Sequence, residues 1–559
     1  MFLSDGTKFT SSLGNKRCGW LPALMCAQPH SEVVETYEDA KSNVLIADLD
    51  KAKLKFIDGT YKGERSKSLK MGHDFYEQIM TVIKNAKPTC GKLDNYPNGP
   101  AKAELVEIAT GSNGRVFSEK YLSDALKLDE TQKELMAASH KYALENLPEN
   151  APKGLYLGTG IAYVGGGKFN WMVLLSLRQL RARGCELPVE IFIPSLEEFE
   201  LELCSAIFPL LNARCVHIPT ALYKENESPD SLKFGGYQFK CLAIMLSSFE
   251  NVLLLDSDNI PAHSPEAIFT NEPYLSKGLI VWPDYWHRTT SPDYYSIAGI
   301  EISRTKVLPK FHEKPGERID QDQPGENFDW ENYPYHEREG AIPDPSTESG
   351  QLVLNKKTHM KSLLLALYYN LYGPDYYYPL LSQGGSGEGD KETFLAAAVV
   401  THKPFYQIMK FLGALGNIRD GNFNGNGMGQ HDPVQDYKWS VERHKLRKSL
   451  KGADFEAAVS QLKEPGLLFI HANHPKLDPW DLVKEHQIIQ DNGERLRLYG
   501  WDLKDRVGSD IELDLWNYMD QLLCDWKIKI DHYSEVDRSE LCNEVRAHRD
   551  WLLSTAKKD

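Results

Sequence analysis

From residue 153 onward, short unbroken apolar runs alternate with longer segments whose apolar positions recur every three or four residues. The first pattern is that of strands buried on both faces, the second that of helices packed along one side. KGLYLGTGIA (153–162) reads as a strand, GGG (165–167) as a turn, and KFNWMVLLSLRQLRARG (168–184) as a helix stopped by Gly184. LPVEIFIP (187–194) is a second strand, LEEFELELCSAIFPLLN (196–212) a helix and ARCVHIP (213–219) a third strand. GYQFKCLAIMLSSF (236–249) is a helix with Tyr237, Cys241, Ile244 and Met245 on one apolar face, and NVLLLDSD (251–258) is a fourth strand. Strands alternating with helices predict βαβ units and a mostly parallel sheet, whose ligands bind at the carboxyl ends of the strands.

Beyond residue 258 the alternation loosens. KGLIVWPDYW (277–286) is a strand running into an aromatic loop, and residues 303–346, rich in Pro, Asp, Glu and His, form a long excursion suited to a lid or acceptor-side loop. ESGQLVLNKKTHMKSLLLALYYN (348–370) is a strand followed by a helix. LLSQGGSGEGDKETFLAAAVV (380–400) is a glycine-rich loop feeding a helix that starts near Asp390, and GNIRDGNFNGNGMGQHDP (416–433) reads as a second loop. GLLFIHANHPKLDPW (466–480) is a strand opening into His471, His474, Lys476 and Trp480. Upstream, GHDFYEQIMTVIKNAK (72–87) and TQKELMAASHKYALENL (131–147) are helical, and Pro148 closes the second. The last 55 residues read as amphipathic helix. The pattern predicts a helical N-terminal region (1–150), an α/β catalytic domain (151–490) and a helical C-terminal extension (491–559), the outer two packing on the middle as stem and cap.

Composition narrows the function classes. The 559 residues, 41% hydrophobic and 26% charged, describe a globular protein longer than one ordinary domain. A net charge of −15 argues against general nucleic-acid binding, although a metal or a few lysines can still hold a phosphate locally. The nine cysteines contain no CxxC pair, which argues against a zinc ribbon or a thioredoxin-type site. They allow one or two disulfides, with Cys241 as plain core. No run of about 18 apolar residues is visible, and the N-terminal run GWLPALMCA is short for a signal peptide. Asn226-Glu227-Ser228 is a glycosylation sequon.

The candidate chemistry centres on ENVLLLDSDNIPAHS (250–264). An extended chain points Asp256 and Asp258 the same way, and two neighbouring carboxylates at a strand end suit a hard divalent cation. Such a cation bridges diphosphate oxygens and stabilises a diphosphate leaving group. His471 is a candidate to complete the metal shell, with His474 as competitor, and Lys476 to neutralise phosphate. Gly165, Gly166 and Gly167, followed by Lys168, match neither GxGxxG nor a P-loop; they form a phosphate cradle or merely a tight turn. Asp390 and Glu392 sit at a helix start, where carboxylates complement the dipole or face a reacting carbon. The aromatics of VWPDYWHRTTSPDYY and YGPDYYYP either stack on sugar rings or pack the core.

Seven segments, GGGKFNWMVLLSLRQLRARGCELPVEIFIP, YQFKCLAIMLSSFENVLLLDSDNIP, VWPDYWHRTTSP, ESGQLVLNK, GDKETF, QHDPVQD and FIHANHPKLDPW, occur in this order over about 155–485. Together they resemble the fungal α-mannosyltransferases that build mannan side branches in the Golgi and, more distantly, glycogenin-like retaining transferases. The resemblance implies an α/β GT-A nucleotide-sugar transferase fold with a Rossmann-like sheet, GDP-mannose as donor, Mn²⁺ or Mg²⁺ as cofactor, and retention of configuration. It implies a mannose hydroxyl of a glycoprotein or cell-wall glycan as acceptor. It also implies a Golgi location on a membrane tether, which the sequence does not display. By the same resemblance Asp256, Asp258 and His471 hold the metal, Lys240 and Lys476 sit at the donor diphosphate, Glu348 to Gln351 lie at the sugar and acceptor, and Asp390 lies near the anomeric carbon. The competing expectations are an inactive, transferase-like glycan-binding subunit, and an enzyme using another nucleotide sugar.

Overall fold

The computed structural model describes residues 46–106, 115–224, 233–309, 312, 314–320 and 323–556. The run GWLPALMCA, Cys18, Cys26 and the sequon at Asn226 lie outside them. Three long helices come first: α1 (Ile46–Thr60), α2 (Glu64–Asn85) and α3 (Glu130–Asn146), with a five-residue turn of helix at Glu119–Ser123 between the last two. The last starts on a capping box in which Asp129 and Gln132 satisfy each other's backbone amides. Then β1 (Thr159–Val164), α4 (Phe169–Ala182), β2 (Val189–Ile193), β3 (Ala213–His217), α5 (Gln238–Leu246) and β4 (Asn251–Leu255) build the parallel half of a sheet. After a short β5 (Asn259–Pro261) come β6 (Leu279–Pro283), β7 (Thr347–Asn355), α6 (Lys356–Leu371), α7 (Thr393–Val400) and β8 (Tyr406–Gln407). The seven-stranded order is β3-β2-β1-β4-β7-β6-β8. Only β7 runs against its neighbours, so its first residues lie at the carboxyl end of β4, with Gln351 opposite Leu255.

A second, antiparallel sheet has the order β5-β11-β10-β9, with β9 (Gly413–Arg419), β10 (Asn422–His431) and β11 (Leu467–His471). The 416–433 segment is therefore a hairpin, not a loop. Asp420 and Gly421 take the turn with φ of 51° and 76°, the left-handed pair of a two-residue hairpin. Glycine-rich composition concealed this: side chains at Gly427 and Gly429 of β10 would crowd Tyr499 and Leu467.

The strands read as unbroken apolar runs because both sheet faces are covered. Ile161, Tyr163, Leu253 and Leu255 face one core, shared with α4 and with two C-terminal helices, α8 (Ile511–Met519) and α9 (Arg538–Ala556). Ala162, Val252 and Leu254 face the other, shared with α2, α3, α5 and α6. Stem and cap thus belong to the same two cores as the sheet. The C-terminal 55 residues are broken into several helices, and Cys524–Cys542 ties two of them together. The helix expected over 196–212 shrinks to Leu203–Leu210, which the Cys204–Cys215 disulfide ties to β3. Cys241 is buried and unbridged, as expected. Among the aromatic clusters, Trp282, Tyr294, Tyr295, Tyr372, Tyr377 and Tyr378 are buried.

Two buried charges shape the frame. Lys356 donates to the Ser247 carbonyl (2.6 Å) at the end of α5, and burial drives its pKa well down. Glu512, at the start of α8, accepts the amides of Leu498 (2.6 Å) and Tyr499 (3.3 Å), and burial pushes its carboxyl up to about 7 against these bonds. The folded chain holds this proton more tightly than the unfolded chain does. Stability is therefore lost as pH rises from the ordinary carboxyl range through about 7, by roughly 3 kcal/mol at most. Glu512→Gln is expected to raise the unfolding temperature at pH 8 and to match wild type near pH 5; a pH-independent difference in a thermal melt would refute this.

Candidate active site

The two aspartates converge by a turn rather than by strand alternation. β4 ends at Leu255, and the Asp256 amide extends the large sheet by donating to the Gly350 carbonyl of β7 (2.8 Å). The chain then turns, with the Asn259 amide bonded to the Asp256 carbonyl (3.0 Å), and enters β5 in the small sheet. There the Asp258 carbonyl accepts the Ala472 amide (3.0 Å), and His471 lies opposite Asn259. Asp256 thus hangs from one sheet, and Asp258 and His471 from the other.

His471 Nε2 lies 3.4 Å from Asp258 Oδ1 and 3.8 Å from Asp256 Oδ2. Lys240, on α5, donates to Asp256 Oδ2 (2.8 Å) and Ser349 Oγ (3.0 Å) and stands 3.8 Å from Asp390 Oδ1. Ser349 Oγ donates in turn to Asp390 (3.1 Å). Lys476 pairs with Asp258 Oδ2. Glu348 faces His471 Nδ1 at 3.3 Å, and its oxygens also accept from the Gly350 amide and the side-chain amides of Gln351 and Gln430 (2.9 Å). It therefore backs the imidazole rather than lining open space.

Burial raises the Asp256 carboxyl above its usual range against the pull of Lys240, and Asp258 adds to the rise. Burial acts on Asp258 too, but His471 and Lys476 outweigh it and hold that carboxyl far below the usual range. For Asp390, burial prevails over Lys240 and lifts the carboxyl to about 6. Burial disfavours a charge on His471, but Glu348 and Asp258 overcome it and raise the imidazole well above its ordinary value.

One ligand atom each from Asp256, Asp258 and His471 lies within 4.8 Å of the others. Two carboxylates and an imidazole suit a first-row divalent ion such as Mn²⁺, and a carboxylate behind the histidine is the usual support of such a ligand. The charge balance fits as well. Four carboxylates (Asp256, Asp258, Glu348, Asp390) face two lysines and one imidazole, and Asp390 Oδ2 is buried with no hydrogen-bond partner. A second cluster, Asp478, Asp481 and His532, is otherwise engaged: Asp478 caps a helix through the Trp480 and Asp481 amides and accepts from Tyr533 and His532.

His474 is exposed and outside the cluster, so His471 prevails over its competitor. Gly165 and Gly166 follow β1 at the same sheet end, but the Gly166 amide is spent on Asn170 Oδ1 (2.8 Å). That favours a helix-entry turn over an open cradle at this amide. Glu392 faces away, paired with Arg288 and accepting the Thr347 amide (3.0 Å). Tyr237 is not core: it precedes the first turn of α5 and is 59% exposed beside the site. Sequence reading missed the bracing by Ser349 and Gln430. Their only signal was membership of the ESGQ and QHDP segments.

The mixed sheet, the acid pair at the end of β4, the antiparallel β7 beside it and the small sheet carrying His471 define a glycosyltransferase of the α/β GT-A type. Residues 158–432 match the family described as "Mannosyltransferase putative". Alpha-1,2-mannosyltransferase MNN21 of Candida albicans is 48% identical over 502 residues, covering 88% of this chain and 76% of that protein. Alpha-1,2-mannosyltransferase MNN2 of Saccharomyces cerevisiae is 40% identical over 475 residues, covering 79% and 78%. Among solved structures, the galactosyltransferase LgtC aligns with a TM-score of 0.25 at 11% identity, over 57% of this chain and 89% of that one, too loosely to add to the reading. The chain belongs to the fungal mannan mannosyltransferase family, as the motifs led one to expect, and it is a mannosyltransferase.

One consequence concerns Gly350. A Cβ there would collide with the His471 ring (2.6 Å to Cε1) and with Glu348 Oε2 (2.8 Å). Gly350→Ala is expected to displace the imidazole and lower transfer about 10- to 100-fold while circular dichroism stays native. Unchanged kinetics would show that His471 tolerates the shift.

Proposed function

We propose that the chain transfers mannose from GDP-mannose to a mannose hydroxyl of a glycoprotein or cell-wall glycan, with retention, using a divalent ion held by Asp256, Asp258 and His471. The supporting observation is the convergence of these three residues between Lys240 and Lys476. The α-1,2 linkage is proposed from the names of the relatives. Mn²⁺ or Mg²⁺ in this site would supply Lewis-acid stabilisation of the diphosphate oxygens.

The remaining chemistry falls to the chain's own groups. Lys476, with 43% of its side chain exposed, can leave Asp258 for the phosphate on which charge develops as GDP departs. Lys240, 12% exposed along its side chain, lies between Asp256 and Asp390 and holds them in a fixed relation. Asp390 Oδ2 is buried without a hydrogen-bond partner, and facing the sugar of a bound donor this carboxylate would stabilise an oxocarbenium-like centre. The bond from the anomeric carbon to phosphate breaks as the bond to the acceptor oxygen forms on the same face. The acceptor's proton passes to the departing phosphate. An alternative course uses Asp390 as nucleophile in a double displacement. The disulfides Cys204–Cys215 and Cys524–Cys542 support an oxidising compartment, consistent with the Golgi lumen as the proposed location.

The test is transfer from GDP-mannose to an α-mannobiose, with Mn²⁺ or with EDTA, and the product linkage read by NMR. A metal-dependent α-1,2 product supports the reading. Activity indifferent to EDTA removes the ion, and preference for another nucleotide sugar removes the donor. Mannoside binding without transfer would favour the glycan-binding subunit.

A further inference from the structure

We infer that Tyr237 forms the acceptor subsite by stacking on the pyranose ring of the accepting mannose; this rests on the mannosyl-transfer reading above. Gly235 and Gly236 deliver the chain to α5, and the helix proper begins one residue after Tyr237, so the ring stays outside the core that Cys241, Ile244 and Met245 enter. It lies against the Gly389 backbone, where a Cβ would come within 3.2 Å of Tyr237 Cδ2, and the next residue is Asp390. Lys240 Nζ sits 5.7 Å from the ring centroid.

The contacts form one connected chain. Lys476 meets Asp258, His471 stands between Asp258 and Asp256, and Lys240 joins Asp256 to Asp390, with Tyr237 beyond. The diphosphate belongs to the Lys476 end, where the cations and the proposed ion lie. The reacting carbon belongs near Asp390. In that chain Tyr237 stands next to Asp390 and at the opposite end from Lys476, which assigns the acceptor to it. A largely exposed aromatic ring beside Lys240 and Gly389 offers a surface that matches the apolar C–H face of a hexose.

The experiment compares wild type, Tyr237→Ala and Tyr237→Phe as the full chain. Steady-state kinetics use GDP-mannose and α-mannobiose, and saturation-transfer NMR measures mannobiose binding without donor. Tyr237→Ala is expected to raise the acceptor KM about tenfold and to weaken saturation transfer, with the KM for GDP-mannose unmoved. Tyr237→Phe keeps the ring and restores the acceptor KM. An unchanged acceptor KM in Tyr237→Ala, a parallel rise in the donor KM, or a phenylalanine variant as impaired as the alanine one overturns the inference and leaves mannosyl transfer standing. A wild type that neither transfers mannose nor binds the mannoside overturns the transfer reading, and this inference with it.

Discussion

Asp258→Asn is expected to lower transfer by about 1000-fold or more while the chain remains folded. Asparagine keeps the size of the side chain and removes the charge that faces His471 and Lys476. Lys476 is the partner left behind, and it is exposed enough to turn to water, so the loss falls on ligand binding rather than on stability. Asp256→Asn should be as inactive but less stable. It strands Lys240, which is largely withdrawn from solvent and keeps Asp390 at 3.8 Å and the Ser349 oxygens. Calorimetry of GDP binding with Mn²⁺ and with EDTA separates the causes. Binding in wild type should require the ion, and Asp258→Asn should bind alike in both. An Asp258→Asn enzyme with a tenth or more of wild-type activity would refute the site.

The second large effect is expected at Asp390, and it should look different. Asp390→Asn is expected to lower kcat about 100- to 1000-fold with GDP affinity nearly unchanged, because the residue touches neither Asp258 nor His471. Its carboxyl titrates near 6, so the working, ionised form is lost as pH falls below that value. Wild-type kcat/KM, which reports ionisations of the free enzyme, should decline on the acid side with a midpoint near 6, and the residual activity of the variant should lack that limb. A mannosylated Asp390 seen by mass spectrometry would decide for double displacement over front-face attack. An Asn variant retaining most of its activity would dismiss both roles for Asp390.

Much of this was legible in the chain because βα units announce themselves locally. The apolar runs of β1 to β4 and the acid pair behind the last are contiguous sequence. The direction of β7 is not local: only the pairing of Gln351 with Leu255 brings Glu348, Ser349 and Gly350 beside Asp256. Glu348 therefore could be grouped with the site but not seen to support His471 from behind. The β9–β10 hairpin had its Asp-Gly turn in plain view, yet its glycines carried no apolar alternation to mark strands. Tyr237 was misplaced for a simpler reason. Helical spacing assigned it to the buried face, whereas the helix starts one residue later.

The junction of the two sheets carries a mechanical consequence. Asp256 is anchored through β7 to the large sheet, whereas Asp258 and His471 are anchored through β5 and β11 to the small one. Anything gripped by all three rivets the sheets together at their seam. Occupancy should therefore be felt well away from the chemistry, as slower amide exchange along β5 and β11.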